Sequence, residues 1–478
     1  MTQMIIDGQQ TYAASKQTID VVSPSDGKVF TTIPRGDSTD VDRAVKAARR
    51  ALNSDWGKTP AFERGRLLVK LGQAVLDHHE ELAQLEAKDT GKPISTARGD
   101  ITVLARYFEY YGGGADKVHG QTIPFLNGYS VQVVREPLGV TAHIIPWNYP
   151  AQMLGRSVAP ALAMGNAAVV KPAEDACLSI LRIAELALEV GFPAGALNVV
   201  TGLGEEAGAA LSRHPGINFV SFTGSNEVGI LIQQAAALNA VKCVLELGGK
   251  SAHVVFDDVD FKQAIPAIVR GIVHNTGQTC TAGSRLLVQK GVHDEFLRVL
   301  AEEFSKTRAG TPEMDLTCGP VVNKTQWERI NRYIQKGIDE GLTVVARGGI
   351  AEGVPEGGYF VTPTIFGAKN HDSDLLMHEI FGPVLVVVPF ETEAEAIELA
   401  NATEYGLMAA VWTENGGRQQ RVARAMQAGQ IYINSFGAGG GVELPFGGVK
   451  KSGHGREKGF IALEEMSTTK TIVHHHGE

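Results

Sequence analysis

Cysteine is scarce in this chain of 478 residues: there are four, at positions 177, 243, 280 and 318, and none stand in a Cys-x-x-Cys spacing. That excludes a disulfide scaffold and reads as reduced thiols in a cytoplasmic protein. Basic residues do not prevail either; the net charge is −9, which argues against general attraction to nucleic acid or to anionic membranes. No apolar run reaches the roughly 18 residues that a bilayer span needs. The opening segment Met1–Gly8 lacks the basic-then-apolar order of a secretory signal. Internal repeats and low-complexity tracts are missing as well. What remains is an ordinary globular composition, 44% hydrophobic and 20% charged. Its length exceeds one hydrophobic core and calls for two or three domains. The tail histidines His474, His475 and His476 are a solvated tail or a tag remnant rather than an expected metal site.

The pattern along the chain predicts an α/β fold. Asp7-Gly8 signals a hairpin, and Val41, Ala44, Val45 and Ala48 mark one face of a helix over about 39–52. Thr59-Pro60 opens a longer helix expected to run to about Ala87. Asn127-Gly128 signals a second hairpin between 122–125 and 129–134. Such a ribbon is marginal alone. The run Thr468–Val473 is a candidate third strand, added either within the chain or across a subunit interface. From about 138 to 256, apolar runs at 139–145, 167–170, 197–200, 218–222, 243–245 and 252–256 alternate with helical stretches. That predicts a parallel sheet covered on both faces. A second alternating region, about 257–445, has helices near 260–274, 293–306 and 323–340 and strands near 285–289, 342–346 and 409–413.

Several residues sit where chemistry is done. Cys280 lies in Gly277-Gln278-Thr279-Cys280-Thr281-Ala282-Gly283, a loop of small residues that lets a substrate approach the sulfur and offers backbone amides to an oxyanion. A free cysteine is equally at home packed as a small hydrophobe. Glu246 ends the apolar run 241–245, the carboxyl end of a parallel strand, where such sheets place their sites. It suits a general base, or a structural ion pair with Lys250. Asn148, in Ile145-Pro146-Trp147-Asn148-Tyr149-Pro150, offers a fixed carboxamide to an oxyanion or satisfies its own turn. Lys171 and Glu174 follow the apolar strand 167–170 and suit the two hydroxyls of a ribose, the carboxylate repelling a 2′-phosphate. Phe222–Gly229 is a strand leading through glycine and serine into a helix start, which suits a pyrophosphate. The glycine run Gly202–Gly208 carries paired acids and reads as a strand–helix turn.

Taken in order, the segments PWNYP (146–150), KPAE (171–174), FTGSNEVG (222–229), LELGGK (245–250), GQTCTAG (277–283), HEIFGPV (378–384) and PFGGVKKSG (445–453) resemble the NAD(P)-dependent aldehyde dehydrogenase superfamily. The likeness spans essentially the whole chain. It implies a Rossmann-type cofactor domain (1–115 and 138–247), a second α/β catalytic domain (248–445), and an oligomerisation ribbon with the C-terminal tail (116–137 and 446–478). It also implies a cytoplasmic homodimer or homotetramer. By that resemblance Cys280 attacks the aldehyde carbon, Asn148 and the Cys280 amide hold the oxyanion, and Glu246 activates the water that hydrolyses the thioester. NAD is the implied cofactor, NADP less favoured. Its contacts would be Lys171 and Glu174 at the adenosine ribose. Trp147 and Ser225 would contact the pyrophosphate and Glu379 and Phe381 the nicotinamide ribose, with Gly224, Gly229 and Leu247 also at the cofactor site. Acyl-CoA-forming relatives generally lack the glutamate, so its presence implies hydrolytic release.

For the substrate, Arg156 and Tyr149 are the candidate contacts. Several relatives acting on semialdehydes or hydroxyaldehydes resemble this chain in having arginine at that place, where others carry tryptophan. An aldehyde with a polar or anionic tail is therefore expected. Aromatic and aliphatic aldehydes are the alternatives, since the glycines of 436–441 leave room for a wide tunnel. Two other classes stand beside this reading, a non-redox thiol esterase and a catalytically dead relative.

Overall fold

The computed structural model describes residues 2–437 and 441–477. Two large sheets are joined through the segment 247–251, among other connections. The first has eight strands, in the order Gln9–Thr11, Met4–Ile6, Leu197–Val199, Ala167–Pro172, Val140–Ile145, Phe219–Thr223, Lys242–Glu246, Gly453–His454. Its five middle strands are parallel and its edges antiparallel. Val140–Ile145, the earliest of those five, lies at their centre, so the connections diverge on either side of it. The crevice beyond its carboxyl end is the natural ligand position in an open α/β sheet. Ala167–Pro172 is buried at every residue, as expected for a strand covered on both faces. The helix Pro150–Ala163 leaves that crevice. It is buried at every position except Gln152, which makes it a central helix and not an amphipathic surface one.

The second sheet runs Thr343–Arg347, Thr364–Gly367, Val384–Phe390, Arg285–Gln289, Ala252–Val255, Met408–Trp412, Gln430–Ile433, parallel except for its first strand. The apolar run 252–256, grouped with the first region by its alternation, therefore belongs to the second sheet. Gly248-Gly249 lies within the crossing between the sheets.

Two helix and turn expectations need correction. The single helix expected from Pro60 to Ala87 is two, Ala61–Asp77 and His79–Thr90, broken at His78 (φ −106°, ψ 23°) with its ring nitrogen 2.9 Å from the Ala74 carbonyl. A one-residue break leaves the apolar period intact and is invisible to it. At the second hairpin, pairing stops at Ile123 with Val131. Residues 124–128 form the loop, in which Gly128 takes φ +78°, and Tyr129 N–H, at the start of the next strand, donates to the Leu126 carbonyl. The terminal strand is real: Ser467–His475 pairs antiparallel with Tyr129–Pro137 of the same chain, placing His474 and His475 inside it. Among the described residues no cluster of His, Cys, Asp or Glu is arranged to hold a metal, and no helix is long and apolar enough to cross a membrane. The glycine run expected to widen the tunnel falls partly on 438–440, outside the described residues.

Candidate active site

Cys280 is presented by a strained backbone. Asn275, Thr276 and Gly277 all adopt left-handed conformations, at φ 48°, 57° and 72°. For a β-branched threonine this is a true outlier, held only when its surroundings over-determine it. They do. Thr276 Oγ1 donates to the Gly319 carbonyl and accepts from the Gly319 amide, both at 3.0 Å. Asn275 Nδ2 donates to the carbonyls of Asn148 (2.9 Å) and Gln278 (3.3 Å). Gln278 Oε1 accepts from Val322 N–H at 2.9 Å. A Cβ on Gly277 would overlap the Gly382 carbonyl, and one on Gly249 would overlap that of Cys280. The glycines of both motifs are thus sites of backbone contact.

Asn148 follows the central strand of the first sheet. Its Nδ2 donates to the Gln278 carbonyl at 3.0 Å, which leaves the second amide hydrogen for another acceptor. Its backbone carbonyl is held by Asn275 and by Lys92 Nζ at 3.1 Å. Lys92 is fully buried between Glu86 (3.2 Å) and Asp100 (2.5 Å). Tyr149 gives its hydroxyl to a 2.7 Å bond with Thr279 Oγ1, tying this strand end to the cysteine loop.

Glu246 closes the strand Lys242–Glu246 and is 2% exposed, with neither carboxylate oxygen accepting a hydrogen bond from the described residues. The ion pair foreseen with Lys250 is not made. Arg156 Nη2 approaches Glu246 Oε2 to 3.2 Å instead, out of hydrogen-bond alignment, while the Lys250 ammonium is buried with no hydrogen-bond partner among the described residues. Burial pushes Glu246 up to about 8; Arg156 pulls against it and Glu457 adds to it. Burial also pushes the Cys280 thiol up to about 12, again opposed by Arg156.

Two cavities meet at the sulfur-bearing residue. One, of about 210 Å³, is lined by Trp147, Asn148, Gly224, Ser225, Glu246, Leu247, Cys280, Glu379 and Phe381. The other, of about 650 Å³, is lined by residues that include Tyr149, Gln152, Arg156, Arg270, His274, Cys280, Phe436 and Phe446. Cys280 borders both, and Glu246 shares the first cavity with it. Ser225 caps the helix Asn226–Ala237 through Val228 N–H (3.4 Å), so the positive end of that helix opens on the smaller cavity. Gly229 lies on this helix where a Cβ would strike Leu247. Trp147 and Phe381 meet edge to face at 5.3 Å, and Glu379 accepts from Gly249 N–H at 2.9 Å. Burial pushes Glu379 up to about 7. Lys171 and Glu174 pair at 2.7 Å at the end of their strand.

Arg156, sought as a substrate contact, stands on the wall of the larger cavity with its guanidinium engaged by Glu457 and Glu246. Glu457 and Lys92 were not singled out from the sequence. Both sit in segments rich in charge that read as solvated, and only the fold buries them. Asn434 is a turn residue whose side-chain amide bonds both the N–H and the carbonyl of Thr413 at 3.0 Å. In the run Gly202–Gly208, Glu206 pairs with Arg35 at 2.6 Å, consistent with a structural turn.

Known proteins resemble this arrangement over its full length. Residues 11–472 match the aldehyde dehydrogenase family. A putative aldehyde dehydrogenase DhaS of Bacillus subtilis (strain 168) is 42% identical over 98% of this chain and 94% of its own. The crystal structure of a putative aldehyde dehydrogenase from Burkholderia cenocepacia superposes with a TM-score of 0.98 at 53% identity, covering 99% of this chain and 100% of that one. PnpE, solved in complex with nicotinamide adenine dinucleotide, superposes with a TM-score of 0.97 at 41% identity, covering 100% and 98%. With the fold, the two-cavity site and these full-length likenesses in agreement, the chain belongs to the aldehyde dehydrogenase family.

Proposed function

We propose that this protein oxidises an aldehyde to the carboxylic acid with NAD, through a thioester on Cys280. The observation that carries the reading is that Cys280 borders two cavities, with Glu246 and Asn148 on the wall of the smaller one. The smaller cavity suits a dinucleotide. A capped helix start with Gly224 and Gly229 fits a pyrophosphate, and Glu379 and Phe381 a ribose. The Lys171–Glu174 pair, outside that cavity's lining at the end of a strand in the same sheet, is assigned the second ribose. Glu174 disfavours a 2′-phosphate, hence NAD over NADP. Bound there, the dinucleotide supplies a hydride acceptor.

The residues divide the remaining work. With its pKa pushed up to about 12, the Cys280 thiol needs a proton acceptor before its sulfur bonds to the aldehyde carbon. Glu246 is the carboxylate in the same cavity. The oxygen that becomes negative is met by the free Asn148 amide hydrogen and the Cys280 backbone N–H. Once the carbon is oxidised to the thioester and Glu246 has released the thiol's proton to solvent, its carboxylate takes a proton from water. The water oxygen adds to the carbonyl, the C–S bond breaks, and the acid leaves as the thiol is restored.

The larger cavity we assign to the aldehyde. Gln152, Arg270 and His274 give it a polar side that supports an aldehyde with a polar or anionic tail, such as a semialdehyde. Tyr149, Phe436 and Phe446 favour an aromatic substrate as the second reading. We also assign residues 1–115 with 138–247 to cofactor binding and 248–445 to catalysis, and the strands 121–137 with 467–475 to homo-oligomer contact. The test is an aldehyde panel followed by NADH formation, repeated with NADP and with Cys280→Ser. NADH formation that survives in the serine variant, or no oxidation of any aldehyde, removes the reading.

A further inference from the structure

Resting on that reading, we propose that Arg156 is a positioning residue for the general base: anchored by Glu457, it fixes the carboxylate of Glu246 in the cofactor-side cavity, and it is not the ligand of the substrate's distal group. The side chain rises from the middle of the buried helix Pro150–Ala163 and is 4% exposed. Its guanidinium is defined on three sides. Nε pairs with the Glu457 carboxylate, whose other oxygen accepts from Ser221 Oγ at 2.9 Å. The guanidinium carbon lies 4.2 Å from the centre of the Phe446 ring, and Nη2 lies 3.2 Å from Glu246 Oε2.

Both carboxylate contacts are ion pairs out of hydrogen-bond alignment, and they differ in what else holds the carboxylate. Glu457 is tied by Ser221 Oγ as well and is the anchor; Glu246 has no such second tie among the described residues. The contact with Glu246 is close but off-axis, so neither Glu246 oxygen is consumed by a hydrogen bond. Charge attraction thus sets the direction of the base while its oxygens stay available for a proton from water. A guanidinium committed to two buried carboxylates has little left for a substrate anion, and withdrawing it would leave both carboxylates uncompensated. The other charged or titratable groups facing Glu246 are Arg456 and Lys458, beside Glu457 in the chain, and Cys280 across the cavity.

The test is the pH dependence of kcat and the pre-steady-state NADH burst in Arg156→Gln, Arg156→Lys and Glu457→Gln. Removing the cation makes ionisation of Glu246 harder, so Arg156→Gln should move the rising limb of kcat upward by about one pH unit or more. Glu457→Gln removes a like charge and should move it downward, while Arg156→Lys should return it to within about half a unit of wild type. The burst, which reports acylation, should persist in all three, and the KM ratio between an anionic and a neutral aldehyde should not change. A roughly tenfold rise in KM for the anionic aldehyde alone, with the limb unmoved, would overturn the inference. So would limbs that shift the same way in Arg156→Gln and Glu457→Gln. If Arg156→Gln does not fold, as its circular dichroism would show, the remaining pair decides the matter: a limb near wild type in Arg156→Lys and lowered in Glu457→Gln supports the inference, and a limb unmoved in Glu457→Gln overturns it. A wild-type enzyme that releases no NADH at all fails earlier, at the aldehyde dehydrogenase reading itself.

Discussion

A carboxyl group held near pKa 8 by burial is mostly uncharged in neutral solution, and that fixes how Glu246 responds to pH. Its neutral form cannot accept a proton. Hydrolysis of the thioester should therefore climb roughly tenfold per pH unit below about 8 and level off above it. Steady-state kcat across a pH series checks this, provided deacylation limits turnover. In Glu246→Gln the thiol can give its proton only to solvent, so the limb should vanish and a slowed burst of about one NADH per site should precede turnover reduced further, by roughly 10²-fold or more. A second residue-scale consequence concerns Lys92. Replacing it with methionine strands Glu86 and Asp100 as buried carboxylates, and should cost about 3–5 kcal/mol of stability, read as a fall in the urea midpoint. The Asn148 carbonyl would lose a donor in the same change.

At the scale of elements, the loop 275–280 couples conformational strain to function. Gly277→Ala asks an L-residue to hold φ 72° with its methyl against the Gly382 carbonyl. The expected cost is about 1–3 kcal/mol, with a loss of the NADH burst larger than the loss of stability explains. Burst amplitude and thermal unfolding on the same preparation separate the two. The sequence made part of this element legible. Small residues around Cys280 pointed to close approach, because glycine content records where backbones meet. It did not reveal that Asn275 and Thr276 are left-handed, since neither residue type demands it and the cause lies in Gly319 and Asn148, distant in sequence. The strands of both sheets were legible because burial on both faces leaves unbroken apolar runs. The break at His78 was not, because the helical period continues across it. Glu457 stayed hidden for a related reason: a charge in Arg456-Glu457-Lys458 looks solvated until packing buries it.

For the whole molecule, the site exists only where the carboxyl end of one sheet meets the Cys280 loop ahead of a strand of the other, so the order of motifs in the chain carried more information than any single one. The ribbon tells the same story at the surface. Its strands pair within the chain, yet Phe125, Leu126 and Val473 are more than half exposed, apolar surface that a second copy would cover. Deleting residues 467–478 should lower the mass seen by light scattering toward the 51.0 kDa of a single chain. An unchanged oligomer, or a full-length protein that is already monomeric, would place subunit contact elsewhere or remove it.

The most direct measurement is intact-protein and peptide mass spectrometry of Glu246→Gln quenched during turnover with an oxidisable aldehyde and NAD. The expected result is one acyl group on the peptide carrying Cys280, formed in step with NADH and absent when NAD is withheld. NADH released without any adduct at Cys280, or an acyl group on another residue, would contradict covalent oxidation at this sulfur.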